Sequence, residues 1–169
     1  MKAHLSISTD RLVLRTPEED DFEAVAGFMS SNRAKFVGGP RPDRHDMWRG
    51  FLGQMGHWGL RGYGLFTLTQ GGRVVGRVGL LNHLMWEEPE LTCQIFDEAL
   101  EGQGLATEAM RAARLWAWEA HGMNRLASFV HPANCAAQGV MLKLGAVPEK
   151  ETLLLGAKVQ LWRHPEARP

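Results

Sequence analysis

The sequence predicts a single mixed α/β domain over residues 1–169, with one mostly antiparallel sheet flanked by about four helices. Three observations predict it. The length suits one hydrophobic core. Apolar residues alternate in some segments and recur at helical spacing in others. Two apolar runs are joined by Gly71-Gly72, which is typical of a hairpin between adjacent strands.

The N-terminal half predicts one strand followed by two helices. Residues 11–15, RLVLR, alternate polar and apolar side chains as a half-buried strand does. Thr16 followed by Pro17 and two acidic residues predicts the start of a helix with a capping hydroxyl. The segment 38–44, GGPRPDR, is a loop by composition, and a second amphipathic helix runs from Asp46 to about Trp58.

The C-terminal half alternates strands and helices. The hairpin comprises residues 63–70 and 73–81, and ELTCQIF at 90–96 predicts the next strand. The stretch EGQGLATEAMRAARLWAWEAHG then predicts a helix of about 17 residues. The remaining elements are a strand at 125–130, a helix at 134–144 that ends before Gly145, and a strand pair at 152–155 and 158–162.

Two glycines flank Gln103 directly before the long helix, and this loop has two interpretations. The free N–H groups from about Gln103 to Thr107 would converge at the positive end of the helix dipole, where a phosphate or pyrophosphate binds well. Alternatively, the loop merely ends a strand. On a helical wheel, Leu105 and a row of alanines form the apolar arc, whereas Thr107 lies opposite. A dinucleotide-binding GxGxxG loop would need a third glycine at Thr107, and GxxxxGK is absent.

Composition argues against several classes of function. Nineteen basic and nineteen acidic side chains cancel, so the charge favours neither a nucleic-acid partner nor an anionic membrane surface. No apolar run reaches membrane-spanning length. The seven histidines form no HxH, HxxH or HxxxH pair, so no metal site is expected. The two cysteines form no CxxC, and MKAHLSISTDRL does not look like a leader, so we expect a cytoplasmic protein.

Three stretches carry a family resemblance: ELTCQIFDEAL, EGQGLATEAM and RLASFVHPANCAAQGVMLKLGAV. Together they resemble the GNAT superfamily of acyl-CoA-dependent N-acetyltransferases, and the branch that includes the ribosomal-protein alanine N-acetyltransferases. The resemblance runs nearly end to end, from TDRLVLR to the final hairpin. The family's acyl-CoA loop is R/Q-x-x-G-x-G/A, which Gly104 and Ala106 match. Glu101 departs from the usual Arg or Gln, so its charge should point away from the phosphates or weaken affinity.

A second signature lies further along the chain. Asn134, followed by VMLKLG, resembles the family's N-x-x-S…L-x-K-x-G-F helix, although Ala137 replaces the usual Ser and Ala146 the usual aromatic residue. The resemblance implies a sheet of about six to seven strands that splays between the fourth and fifth strands, with pantetheine in the gap.

Acetyl-CoA is the cosubstrate that the resemblance implies, with no metal. Backbone N–H groups of the strand before the loop would hold the thioester carbonyl, and Asn134 would bond the pantetheine arm. The predicted cofactor-binding residues are Gln94, Ile95, Phe96, Gln103, Gly104, Leu105, Ala106, Thr107 and Asn134.

Two residues are predicted to act in catalysis, Glu90 and Asn134. Relatives often carry a Glu at the start of the strand, and Glu90 would act as general base through water; the alternative is a solvated acid at a strand end. Met141 stands where many relatives have a Tyr general acid, and Tyr63 lies elsewhere. A thiol with a pKa of roughly 8.5 leaves as a thiolate without a proton donor. Cys93 is interpreted as a buried strand thiol.

The acceptor pocket is predicted to include Phe36, Trp48 and Trp58, which come from segments that face the acceptor in this family. Aromatic residues at helical spacing also occur in ordinary cores. The sequence therefore predicts an N-acetyltransferase that moves acetyl from acetyl-CoA to a primary amine, either a protein N-terminus or a small molecule, by direct attack in a ternary complex. The alternative, favoured by Met141 and Ala137, is a non-catalytic acyl-CoA-binding module. A homodimer is expected because terminal strands of such domains often pair with a neighbour.

Overall fold

A computed structural model describes residues 5–83 and 86–167. The described part contains eight strands and four α-helices, together with three short 3₁₀ turns at 19–21, 32–36 and 98–100. The strands are β1 (Ser6–Ser8), β2 (Val13–Arg15), β3 (Leu65–Gln70), β4 (Arg73–Leu81), β5 (Glu90–Ile95), β6 (Ala127–Val130), β7 (Val147–Leu154) and β8 (Ala157–Arg163). The helices are α1 (Phe22–Met29), α2 (Arg44–Arg61), α3 (Leu105–His121) and α4 (Cys135–Lys143).

The strands form one sheet in the order β1-β2-β3-β4-β5-β6-β8-β7. Every neighbouring pair is antiparallel except β5 and β6, which are parallel and share a single ladder pair, Glu90 with Ala127. The separation of β5 and β6 lies where the splay was predicted, because these two strands are the fourth and fifth of the sequence prediction, which lacked β1. The mixed α/β prediction is confirmed, but the sheet has eight strands where six to seven were predicted, because Ser6–Ser8 adds a short strand at the edge.

The first helix begins later than predicted. Instead of Thr16, Glu18 caps the turn: its side chain accepts from the backbone of Asp21, and the Asp21 carboxylate accepts from the Glu18 amide at 2.9 Å. A 3₁₀ turn follows, and α1 starts at Phe22. In this capping box, the side chains of Glu18 and Asp21 accept hydrogen bonds from each other's backbone amides. The helical segment therefore begins after Glu18 and needs no cap from the Thr16 hydroxyl.

The other boundaries agree with the sequence to within a few residues. Asp43 caps α2 by accepting from the Asp46 amide at 2.9 Å, so α2 begins two residues before the predicted position. Gly71 and Gly72 have φ of 57° and 79°, the left-handed pair that a two-residue hairpin turn requires. Strands β7 and β8 are longer than the predicted pair.

The sheet separates two cores. One lies between the sheet and α3, where Ala109, Ala113 and Ala117 are fully buried, so the helix lies close to the strands. The other lies between α1 and α2. Thr107 is also buried, which corrects its predicted place on the outer arc of α3. Of the helices in residues 5–83 and 86–167, none is both long and apolar enough to cross a bilayer.

Candidate active site

A cavity of about 920 Å³ extends from α2 across β4 and β5 to the gap between β5 and β6. Its lining includes Glu90 and Gln94 from β5, Phe36 from the turn before α2, and Asn134 and Met141 at α4. Several predicted site residues, distant in sequence, are therefore brought to one space.

Glu90 lies at the point where the two parallel strands begin to separate. It is only 8% exposed and lines the cavity. Burial raises the pKa of its carboxyl to about 8, against the opposing effect of a hydrogen bond from the Phe129 backbone. A carboxyl group with such a pKa changes charge near neutral pH, as a general base must.

The gap itself exposes alternate main-chain groups of β5. At its closed end the Ser128 hydroxyl donates to the Leu91 carbonyl at 2.5 Å. The Phe96 amide donates to Val75 at 2.8 Å, and Gln94 lies opposite Arg77 on β4. Because successive residues of a strand direct their amides to opposite neighbours, the amide of Ile95 faces the gap, whereas those of Gln94 and Phe96 face β4. Of the predicted amides of Gln94, Ile95 and Phe96, only that of Ile95 is therefore directed to the gap, where a thioester carbonyl could accept a hydrogen bond from it.

The loop before α3 has the geometry of an anion site. Gly104 adopts φ 82° at the start of the helix, a left-handed conformation that favours glycine. The first N–H groups of α3 have no partner within the helix. The Thr107 hydroxyl is buried and has no hydrogen-bond partner in the described residues, so a ligand oxygen would satisfy it. These groups fit the diphosphate of coenzyme A.

Glu101, the residue that departs from the family's loop pattern, is paired with Arg33. The Arg33 guanidinium also donates to the Phe96 carbonyl and, at 2.9 Å, to the Ile95 carbonyl. The acid is thus turned toward a cation from the α1–α2 connection. The charge expected to disturb the phosphates is balanced within the protein.

Asn134 has one amide atom occupied and one available. Its Oδ1 accepts from the Ala137 amide at 3.1 Å and caps α4. Its side-chain NH₂ can still donate to a ligand, since an amide carries both functions. Ala137, where relatives have Ser, lines the same cavity.

The three predicted acceptor aromatics have different positions. Phe36 lines the cavity, with its ring centroid 5.1 Å from that of His131. Trp48 stacks on Phe51 at 5.9 Å in the core between α1 and α2. Trp58 is 8% exposed, and its indole N–H donates to the Leu65 carbonyl at 2.9 Å. The structure does not bring Trp48 and Trp58 to the cavity lining, because their helical spacing serves the core.

Two other side chains bear on the chemistry. Met141 is buried and lines the cavity, whereas Tyr63 packs beside His57, with the ring centroids 5.3 Å apart, outside the lining. Burial raises the pKa of the Cys93 thiol to about 12, which opposes a nucleophilic role. Across residues 5–83 and 86–167, no group of three or more His, Cys, Asp and Glu side chains is arranged to hold a metal ion.

Arg77 was missed by the sequence reasoning. It lies in the middle of β4, lines the cavity and is 7% exposed. The signal was present, since a charged residue interrupts the apolar run VVGRVGLL. Strand periodicity alone does not say that such a residue faces a cavity.

Residues 11–147 match the family model described as acetyltransferase (GNAT) domain. No curated protein matches the sequence significantly. An acetyltransferase from Agrobacterium tumefaciens strain C58 is 29% identical with a TM-score of 0.87, over 98% of this chain and 97% of that one. Ribosomal-protein-S5-alanine acetyltransferase from Vibrio fischeri is 17% identical with a TM-score of 0.74, over 98% and 100%. A ribosomal L7/L12 alpha-N-protein acetyltransferase in complex with coenzyme A is 14% identical with a TM-score of 0.77, over 96% and 99%.

Proposed function

Because the chain belongs to the GNAT acetyltransferase family and is an acetyl-CoA-dependent acetyltransferase, we propose that its acceptor is a primary amine. The amine would attack the acetyl group directly in a ternary complex. Family membership also argues against the non-catalytic acyl-CoA-binding module. The acceptor is either a protein N-terminus or a small molecule, and Phe36 remains a candidate for its pocket.

The observation that carries this proposal is the buried carboxyl of Glu90 beside the strand gap. An amine attacks only in its neutral form, so the site needs a group that accepts a proton near neutral pH. Burial raises the pKa of Glu90 to about 8, which suits that task. Glu90 would take the proton directly or through a water molecule.

The same proton affinity favours an α-amine over a lysine side chain. An α-ammonium group has a pKa of about 8, so proton transfer to Glu90 is nearly balanced. A lysine pKa of about 10.4 lies roughly 2.4 units higher, which costs about 3 kcal/mol per transfer. This difference supports an N-terminus, or a small molecule with a similarly weak amine.

Residues of the loop and the gap would hold the cosubstrate. The amides from Gln103 to Thr107 and the Thr107 hydroxyl would bind the diphosphate, and the Asn134 NH₂ group the pantetheine arm. The Ile95 amide would polarise the thioester carbonyl. When bound, acetyl-CoA supplies the carbonyl carbon at which a C–N bond replaces the C–S bond. No phenol is required, because a thiol of pKa roughly 8.5 departs as its thiolate.

The test is the pH dependence of Glu90→Gln, measured by free-thiol release with an amine whose own pKa is below about 7. Wild-type kcat/KM should rise through about pH 8, where the carboxylate forms. The variant should lack that rise, so its deficit, about 10²-fold, should be largest above pH 8 and small at mild acidity. Glu87→Gln, an exposed acid nearby, is the matched control. An unchanged profile would remove Glu90 from the base role, and binding of acetyl-CoA without thiol release for any amine would restore the binding module.

The proposal extends to assembly and location. Strand β7 lies at the sheet edge and exposes Val147 and Leu153, with Leu155 in the adjoining turn, which supports a homodimer through this edge. Sedimentation of wild type and Leu153→Glu tests it, since only the wild type should run as a dimer.

Both cysteines are free thiols, which supports the expected cytoplasmic location.

A further inference from the structure

The charges that line the cavity are unequal in sign. Four basic side chains reach it: Lys35, Arg41, Arg61 and Arg77. Glu90 is the only acidic side chain among the described lining residues. Since its pKa is raised to about 8, Glu90 is largely neutral at pH 7. The cavity therefore presents a net positive charge to whatever enters it.

Arg77 is the most unusual of these cations because its side chain is buried among neutral groups. Its Nε donates to Gln94 Oε1 at 2.5 Å and its Nη1 to Gln54 Oε1 at 2.9 Å. Its Nη2 lies 3.5 Å from the Met29 sulfur. No carboxylate in the described residues forms an ion pair with it. Burial, and then the nearby charge of Arg41, lowers the pKa of Arg77 to about 10.

The same fold shows what a paired arginine looks like. Arg15 donates to both carboxylate oxygens of Asp21, at 2.8 and 2.6 Å. A buried cation without such a partner is costly, because the loss of water is not offset by an opposite charge. An anion from outside the chain would supply the opposite charge that Arg77 lacks among the described residues.

Arg41 is a second cation of this cavity, close enough to Arg77 for its charge to act on it. The Nε of Arg41 donates to the Gly38 carbonyl at 3.0 Å, and no carboxylate in the described ranges forms an ion pair with Arg41. Two arginines that repel each other and share no acid form a suitable cradle for a carboxylate or phosphate.

The position of this pair fixes its distance from the general base. Arg77 on β4 lies opposite Gln94 on β5, and Glu90 is four residues before Gln94 on β5. Side chains four residues apart face the same side of a strand and are separated by about 13 Å. An extended peptide spans that distance in about three to four residues. A free α-amino acid is too short to reach both ends.

We propose that Arg77 and Arg41 form an anion-binding subsite for the acceptor, which is therefore a primary amine with a carboxylate about three to four extended residues away, as at an acidic peptide N-terminus. The inference rests on the proposed acetyl transfer to an amine. It adds the chemical identity of the acceptor's far end.

The experiment compares C-terminally amidated peptides that differ at one position. Each carries a single Asp, or the matched Asn, at position 2, 3, 4 or 5, and a phosphoserine series distinguishes a phosphate ligand from a carboxylate. Wild-type kcat/KM should favour Asp over Asn at position 4 or 5 by about tenfold, the value of one charge-assisted contact. Arg41→Gln should reduce this preference severalfold, measured as the ratio of kcat/KM for the Asp peptide to kcat/KM for the matched Asn peptide. A phosphoserine preference would keep the subsite and replace the carboxylate.

Arg77→Met, which keeps an unbranched side chain and removes the charge, should abolish the preference. If it does not fold, Arg41→Gln and direct binding still decide: calorimetry on the CoA-loaded protein should show tighter binding of the N-acetylated Asp peptide than of its Asn partner. Arg49→Gln is the matched control, an exposed arginine of α2 outside the cavity lining.

Three outcomes would overturn the subsite. One is equal kcat/KM for the Asp and Asn peptides together with equal binding of their products. Another is a preference that Arg41→Gln and Arg77→Met leave intact. The third is a rise in KM for acetyl-CoA with an unaltered Asp-to-Asn ratio, which would assign the arginines to the coenzyme phosphates. Absence of CoA binding by the wild type would instead contradict the proposed function, so the two failures are distinct.

Discussion

The carboxylate of Glu108 accepts hydrogen bonds from the side chain of Arg11 at 2.7 Å and from its backbone amide at 3.0 Å, although 97 residues separate the two. The Thr9 hydroxyl donates to the same carboxylate at 2.6 Å. Arg11 also donates to the Gln103 carbonyl at 2.8 Å. The connection between β1 and β2 thus holds the glycine loop and the first turn of α3 in one arrangement.

Glu108→Gln is predicted to weaken cosubstrate binding rather than chemistry. A neutral amide cannot serve all three donors, so the loop amides would lose their fixed direction. The KM for acetyl-CoA should rise about fivefold to tenfold, with kcat changed less than about twofold. Glu119→Gln, an exposed acid on the same helix, is the control. Initial rates at varied acetyl-CoA measure the effect, and a selective fall in kcat would contradict it.

The Arg33–Glu101 pair is predicted to matter through charge balance. Arg33→Gln leaves the Glu101 carboxylate unpaired near the phosphate loop, so the KM for acetyl-CoA should rise about threefold to tenfold. The double variant Arg33→Gln/Glu101→Gln should return to within about twofold of the wild type. If the double variant remains impaired, Arg33 acts instead through its bonds to the Ile95 and Phe96 carbonyls.

Glu90→Gln is predicted to stabilise the fold in alkaline solution. The folded-state pKa is raised from 4.5 to about 8, so the stability associated with this group is fully present below pH 4.5 and is lost as pH rises through about 8. The loss reaches at most about 5 kcal/mol. A neutral Gln avoids it, so the variant's melting temperature should exceed that of the wild type by as much as roughly 10–20 °C at pH 8.5 and by little at pH 4.5. Thermal unfolding at both pH values measures the difference. A pH-independent difference would mean that the carboxyl does not carry the raised pKa.

Cys93→Ser is predicted to keep kcat within about twofold, because a thiol with a pKa raised to about 12 supplies almost no thiolate at neutral pH. Mass spectrometry after incubation with acetyl-CoA alone should show no acetyl group on Cys93. Cys135 is exposed, and Cys135→Ser is the control for non-enzymatic labelling. An acetylated Cys93 that transfers its acetyl group to an added amine would establish a two-step route in place of direct attack.

The elements that could be predicted from the sequence are those with complete local signals. Gly71-Gly72 fixed one hairpin, and the long run after Gly104 fixed α3, because turn chemistry and helical periodicity act over neighbouring residues. The strand Ser6–Ser8 was missed because three residues show too little periodicity. Thr107 was misplaced because its burial depends on what packs over the first turn of α3.

The same limit applies to the site. Family motifs indicated Glu90 and Asn134 in advance, and both line the cavity. Trp58 resembled a pocket residue but bonds the Leu65 carbonyl within the core. Arg77 was overlooked because the lack of a counter-ion is a property of spatial neighbours. Sequence spacing alone therefore cannot reveal it.

The single backbone pairing between Glu90 and Ala127 bears on how rigid the sheet is. Within the described residues, the backbone ladder joins β1–β5 to β6–β8 only at this pair, so we expect the two groups of strands to move against each other more easily while the gap is empty. The pantetheine arm of the coenzyme carries amide groups, which in the proposed binding mode would form hydrogen bonds with the strand backbone in the gap between β5 and β6. We expect the enzyme to be stiffest while loaded and to loosen whenever spent coenzyme departs.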